Sequence, residues 1–271
     1  MESTIISALN LAFNPVAVIW SDEKPHDALQ FKPGKWGCVM SLFASAAKGH
    51  TAVFDRETFG CWGGGVGLGF GNQYLNVPGG IKAFYNFLST GNNIGGMRKM
   101  AAEKICNFVG NGLVDDAIHG ERYKKSPELV KQFVESLPIV DIPARYVVFK
   151  PLRDVDQKNE KPVVIVFPAN PDQLSALVIL ANYGSGGSEN VIIPFAAGCQ
   201  AIGIFPYLEA KKRRNLRAVI GLTDISARKN VRKQLGKDLF TFAVPLEMFY
   251  EMEAHVAGSF LQRETWNALQ A

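Results

Sequence analysis

The sequence predicts an α/β or mixed α+β fold, built as a single compact domain of short strands and helices. Three observations carry this. Short apolar runs rich in Val and Ile recur along the chain, each bounded by polar, Pro or Gly positions. Segments with helical spacing of apolar residues lie between them, on short connections without a Ser/Pro-rich linker. The 271 residues are 47% hydrophobic and 20% charged, enough to bury a large core without disulfides, which excludes disorder as the main state.

The elements follow in order. Residues 3–13 space Ile5, Ile6, Leu9 and Leu11 as an amphipathic helix that Pro15 ends, and 16–20 then reads as a buried strand. Residues 38–48 place Met40, Phe43 and Ala47 at helical spacing before Gly49, and 51–54 is a second strand. Helices are expected at 82–88, at 98–109 and at 126–137, the last opened by Ser126-Pro127-Glu128 as cap and first turn. Strands 145–149 and 163–167 flank the polar turn 153–161, which suggests a hairpin or two adjacent strands. Helix 171–182 begins with Pro and ends before Gly184. Strand 191–193, helix 195–204, strands 218–222 and 239–244, and a helix opened by Pro245 complete the chain.

The turn 153–161 is the best boundary if the domain has lobes, which would be 1–152 and 162–271. Gly60-Cys61 with Gly65 and Gly198-Cys199 with Gly203 share the same offsets, so a degenerate two-fold repeat is compatible with the sequence. Two uncharged runs invite a membrane reading, but 58–81 carries nine glycines and 190–208 is divided by Pro194, Gly198, Gly203 and Pro206. The start Met1-Glu2-Ser3-Thr4 does not read as a secretory leader, so the expectation is a cytoplasmic protein without membrane contact.

Net charge is only +4, yet residues 211–237 hold ten basic residues and one acid, leaving about −5 elsewhere. Solvated helix faces explain such a stretch, as does docking of an anionic partner. Interleaved aromatics for base stacking are absent from it, which disfavours nucleic acid.

Three of four cysteines directly follow glycine: Cys38, Cys61 and Cys199. A glycine there lets the backbone approach a cluster, macrocycle or substrate and leaves an amide for the sulfur. The plain alternative is a small buried hydrophobe in a tightly packed place. No CxxC occurs, so a metal site would need cysteines that converge in space. Cys106 lacks the glycine and reads as core.

The run Gly60-Cys61-Trp62-Gly63-Gly64-Gly65-Val66-Gly67-Leu68-Gly69-Phe70-Gly71 matches neither a P-loop nor a dinucleotide fingerprint. Its alternation suggests a strand with one glycine face pressed against something flat, either an aromatic cofactor or a packed helix. The four histidines show no ligand spacing, although His50 shares a short region with Asp55, Glu57 and Cys61, and no Gly-x-Ser-x-Gly elbow exists.

The order Asn14-Pro15-Val16-Ala17-Val18, Cys38 heading Ala44-Ser45-Ala46-Ala47-Lys48-Gly49, Gly60-Cys61, Gly198-Cys199, Asp224-Ile225-Ser226-Ala227-Arg228 and Val244-Pro245 resembles domain-of-unknown-function family 169 over nearly the whole chain. That family has no established activity. The resemblance implies an iron–sulfur or other metal cofactor and a redox setting. It matches Cys38, Cys61 and Cys199 to the family's cysteines, gives Cys106 no counterpart and so leaves a fourth ligand unidentified.

Three functions are therefore expected in competition. The first is an iron–sulfur or metal site on Cys38, Cys61 and Cys199 in electron transfer or redox handling of a small substrate, with a redox partner. The second is a binding module for a flat tetrapyrrole or flavin, held by Gly60, Trp62, Gly63, Gly64, Gly65 and Gly67 and charge-matched by Arg228. The third is a thiol enzyme with Cys61 as nucleophile and His50 as base.

Overall fold

An apolar run with both faces oily must sit inside a sheet, and β1 (Val16–Ser21) does so. The computed structural model describes residues 1–92 and 114–270. Helix α1 (Thr4–Ala8), capped by Ser3, precedes β1. After it come α2 (Val39–Ala47), β2 (Ala52–Phe54), α3 (Trp62–Leu68), α4 (Ile81–Leu88), α5 (Val114–His119) and α6 (Pro127–Ser136). Then follow β3 (Tyr146–Pro151), β4 (Pro162–Ala169), α7 (Pro171–Asn182), β5 (Val191–Ile192), α8 (Gly198–Ile202) and α9 (Ile204–Ala210). The chain closes with β6 (Ala218–Gly221), α10 (Ile225–Leu235), β7 (Phe240–Pro245), α11 (Leu246–His255) and α12 (Glu264–Gln270). The helix expected at 98–109 and Cys106 lie outside the described residues.

The seven strands form one sheet in the order β2-β3-β1-β4-β7-β6-β5. All neighbours are antiparallel except β5 and β6, so the class is α+β with a mixed sheet. Neither the hairpin nor the adjacent pair of strands expected for 145–149 and 163–167 is formed. β1 lies between those strands, with Val18 opposite Phe149 on one side and Val164 on the other. Direct pairing of β3 with β4 would have left the apolar β1 on an edge.

Alternation along the strands divides the core between two helix layers. Val16, Val18, Phe149, Val164, Val166 and Ala243 face α2, α3, α4, α6, α8, α9 and α10. Ala17, Ile19, Val148, Ile165, Phe167 and Phe242 face α1, α7, α11 and α12. Both glycine–cysteine turns follow an outermost strand, Cys61 after β2 and Cys199 after β5. Yet β2 pairs antiparallel and β5 parallel, so the matching offsets do not make the halves copies.

The glycine run corrects the sequence reading most sharply, because residues 62–68 are helical rather than extended. Cys61 caps α3 by accepting the Gly64 N–H, and Gly69 ends it in the left-handed region at φ 88°. Tertiary packing overrides the glycine penalty here. A Cβ on Gly64 would lie 2.6 Å from Val39, and one on Gly67 would lie 2.7 Å from the Cys199 carbonyl carbon. The expected helix 195–204 is split at Gly203, where a side chain would strike the Gly67 carbonyl oxygen. This same division interrupts the span-like run 190–208, and no described helix is long and apolar enough to cross a membrane.

Candidate functional site

On the α2/α3/α8/α10 side of the sheet lies a cavity of about 170 Å³. The N-terminal ends of these four helices converge on it. Cys38 is the N-cap of α2, Cys61 the N-cap of α3, Cys199 the second residue of α8, and Asp224 the N-cap of α10; all four line the cavity. Trp36, Trp62, Phe84, Phe87, Phe133 and Phe195 supply aromatic wall, and Glu121, Tyr123 and Ser226 form a polar side.

Local bonds fix the head groups. Cys61 Sγ accepts from the Gly64 N–H at 3.2 Å, and the Cys199 thiol donates to the Gly63 carbonyl at 3.3 Å, tying α8 to α3. The Asp224 carboxylate serves two helices at once: Oδ1 accepts from Ala227 N–H of α10 at 2.7 Å and Oδ2 from Gly198 N–H of α8 at 2.5 Å. Cys38 makes no capping bond with its side chain. The Gln200 side chain donates to Tyr74 Oη at 2.8 Å in the cavity wall.

No Lys, Arg or His is among the described residues lining the cavity. Its ionisable groups are all acids, and burial disfavours the charge on each. Burial pushes the Cys38 thiol up to about 12 and Cys61 to about 11, and Cys199 rises well above the ordinary thiol range. The thiols reinforce one another, since Cys61 raises both Cys38 and Cys199. Burial also lifts Glu121 to about 7, against a hydrogen bond from Ser226 that lowers it, and raises Asp224 despite its two backbone donors. The thiols of the cavity are therefore neutral near pH 7, and its described lining holds no positive charge.

The structure thus brings Cys38, Cys61, Cys199, Trp62 and Gly63 to one place. It does not bring Gly60, Gly64, Gly65, Gly67 or Arg228 to the cavity wall. Gly60 holds the turn before Cys61 at φ 79°, while Gly64, Gly65 and Gly67 pack against Val39, Gln73 and the Cys199 backbone. Arg228 donates to the carbonyl oxygens of Leu222 at 3.1 Å, Leu239 at 3.0 Å and Lys237 at 2.5 Å, with its guanidinium over the Phe240 ring. Those bonds occupy it in holding the loops around α10. His50 is exposed and does not line the cavity. With the Cys61 thiol held neutral, the pairing of Cys61 as nucleophile with His50 as base is not assembled.

Glu121, Tyr123 and Ser226 are what sequence reasoning missed. Glu121 sits in the polar stretch Gly120-Glu121-Arg122, which carries no periodic signal, and reaches the cavity because its N–H bonds the Phe87 carbonyl at 2.8 Å. Asp224 and Ser226 did carry a signal, as a helix cap and first turn.

Among the described residues, no group of three His, Cys, Asp or Glu side chains is arranged to hold a single metal ion. The thiols surround a volume rather than meet at a point. Comparison with known proteins finds no match among curated proteins or solved structures. The model of domain-of-unknown-function family 169, described as an uncharacterised ArCR, matches residues 4–255. This match spans the whole sheet and the helix heads that carry Cys38, Cys61 and Cys199, and the chain belongs to that family.

Proposed function

We propose that the chain is a cofactor-binding protein whose cavity takes an iron–sulfur cluster through Cys38, Cys61 and Cys199, in a redox role with a small-molecule ligand or redox partner. The observation that carries this is the arrival of three thiols, distant in sequence, at three helix heads around one cavity. A cluster distributes its ligands over several metal atoms, which suits thiols that surround a volume. When bound, it would supply one-electron chemistry and the missing positive charge. The chain's own part is to place the thiols, to offer the helix-head N–H groups of α2 and α3 to the sulfurs, and to shield them with aromatic walls. Asp224 is spent on two backbone donors and so adds no ligand to the three thiols.

The test is anaerobic purification with iron, acid-labile sulfide and absorbance measured on one sample. Stoichiometric iron and sulfide, lost together in Cys38→Ser, Cys61→Ser and Cys199→Ser, is the expected result. Full retention in all three variants sinks the reading.

The aromatic wall favours one second reading, a flat tetrapyrrole or flavin stacked on Trp36 or Trp62. Soret or flavin bands without sulfide would select it.

A further inference from the structure

Beside the thiols, the cavity wall carries a continuous chain of hydrogen bonds that starts from a first-turn amide of α10 and runs on through two hydroxyls to a carboxylate. The Ser226 N–H, in the first turn of α10, donates to Tyr123 Oη at 2.9 Å. Tyr123 Oη lies 3.0 Å from Ser226 Oγ, and Ser226 Oγ donates to Glu121 Oε1. Counting hydrogens fixes the direction. The serine has a single hydroxyl hydrogen and gives it to the carboxylate, so the tyrosine hydroxyl must be the donor to the serine. All three residues line the cavity.

We propose that Glu121, Ser226 and Tyr123 form a proton relay in the cavity wall, with Glu121 as its acid–base end. The step is a proton transfer and balances with one co-reactant, a protonated Brønsted acid bound in the cavity. Tyr123 passes its hydroxyl hydrogen to Ser226, Ser226 passes its own to Glu121, and Tyr123 takes a proton from the group in the cavity. The carboxylate becomes a carboxylic acid, and both hydroxyls are restored. The reverse sequence returns the proton.

The surroundings suit that task. Asp116 from α5 and Asp224 at the head of α10 face Glu121 as like charges, Cys61, Tyr74 and Tyr123 share its field, and among the described residues the Ser226 hydroxyl alone supports its ionised form. A carboxyl so placed changes charge near neutral pH, where an acid–base group is most useful. This rests on the cofactor reading above and deepens it. A redox change in a cavity with no Lys, Arg or His among its described lining residues alters charge there, and the relay offers the compensating proton.

Infrared difference spectra of the cofactor-free protein, taken from mildly acidic to mildly alkaline pH, test the relay itself. A carboxylic carbonyl band is expected to titrate near neutrality and to vanish in Glu121→Gln. It should titrate at higher pH in Ser226→Ala, which loses the donor to the carboxylate, and move less far in the same direction in Tyr123→Phe. A band that survives Glu121→Gln, or a midpoint unmoved by both other variants, overturns the relay. After anaerobic reconstitution with iron and sulfide, the midpoint potential of the loaded protein should vary with pH around the same midpoint and become flat in Glu121→Gln. A flat native profile overturns the coupling. If the native chain takes up no iron or sulfide, the cofactor reading fails by that result alone, and the infrared titration still decides the relay.

Discussion

Glu121 has a serine for a partner and acidic neighbours, and the sign of its effect on stability follows. Its folded carboxyl is lifted from 4.5 to about 7, so between those pH values the folded chain holds a proton that the unfolded chain has lost. Stability is greatest on the acidic side of this window, declines as pH rises toward about 7 and is flat above it, for this group. The size is on the order of 3 kcal/mol. In urea titrations of cofactor-free protein, Glu121→Gln should be the more stable form at pH above about 7 and should lose most of that slope; Asp224, also raised, keeps a smaller one of the same sign. The cysteines give a second residue-scale outcome. With Cys61 raised from 9.0 to about 11, its thiolate fraction below pH 9 falls about 100-fold, so iodoacetamide should label Cys61, read by peptide mass spectrometry, that much more slowly in the native protein than in the urea-unfolded chain. Labelling at the unfolded rate would mean that the thiols are not desolvated.

Among the elements, α3 and the head of α10 are the informative ones. Gly67→Ala would gain helix propensity of about 1 kcal/mol but drive a methyl into the Cys199–Gln200 backbone at 2.7–2.8 Å, so a net loss of about 1–3 kcal/mol is expected. Gly63→Ala meets only Tyr74 Oη at 3.7 Å and should be neutral or slightly stabilising. Urea midpoints of the two variants separate packing from propensity. At Asp224, alanine removes two caps and should cost about 2–3 kcal/mol, whereas asparagine keeps one acceptor and should cost about half as much. This scale also shows what the sequence could disclose. Strand β1, helix α2 with its cysteine at the cap, and helix α7 were legible because their patterns are local. The glycine run was not, because what makes it helical is the shape of Val39, Gln73 and α8, brought against it by the rest of the fold.

For the whole molecule, the sheet joins residues 1–152 to 162–271 through one antiparallel seam, β1 against β4, and one core draws on helices from both parts. Unfolding of the cofactor-free protein should therefore give one transition, with near-ultraviolet and far-ultraviolet circular dichroism coincident. Two separated transitions would instead identify independent lobes. The convergence of Cys38, Cys61 and Cys199 was legible only as a recurrence of Gly-Cys pairs, since periodicity says nothing about which helix heads meet. The basic stretch 211–237 is likewise divided by the fold. Lys212 and Arg217 bind the buried Glu209 at 2.6 and 2.8 Å, and Arg228 faces carbonyl oxygens, so its charge is not all available to a partner.

A seven-residue helix with four glycines does not persist in water by itself. Helix α3 holds its shape only while its bare face is seated on its neighbours, so Cys61 has a fixed address only in the assembled molecule. Whatever loosens that seat scatters one of the three sulfurs before the sheet is touched. The proposed three-thiol site would then be lost through a local opening event, timed by amide exchange at residues 64–69, and its loss would need no global unfolding.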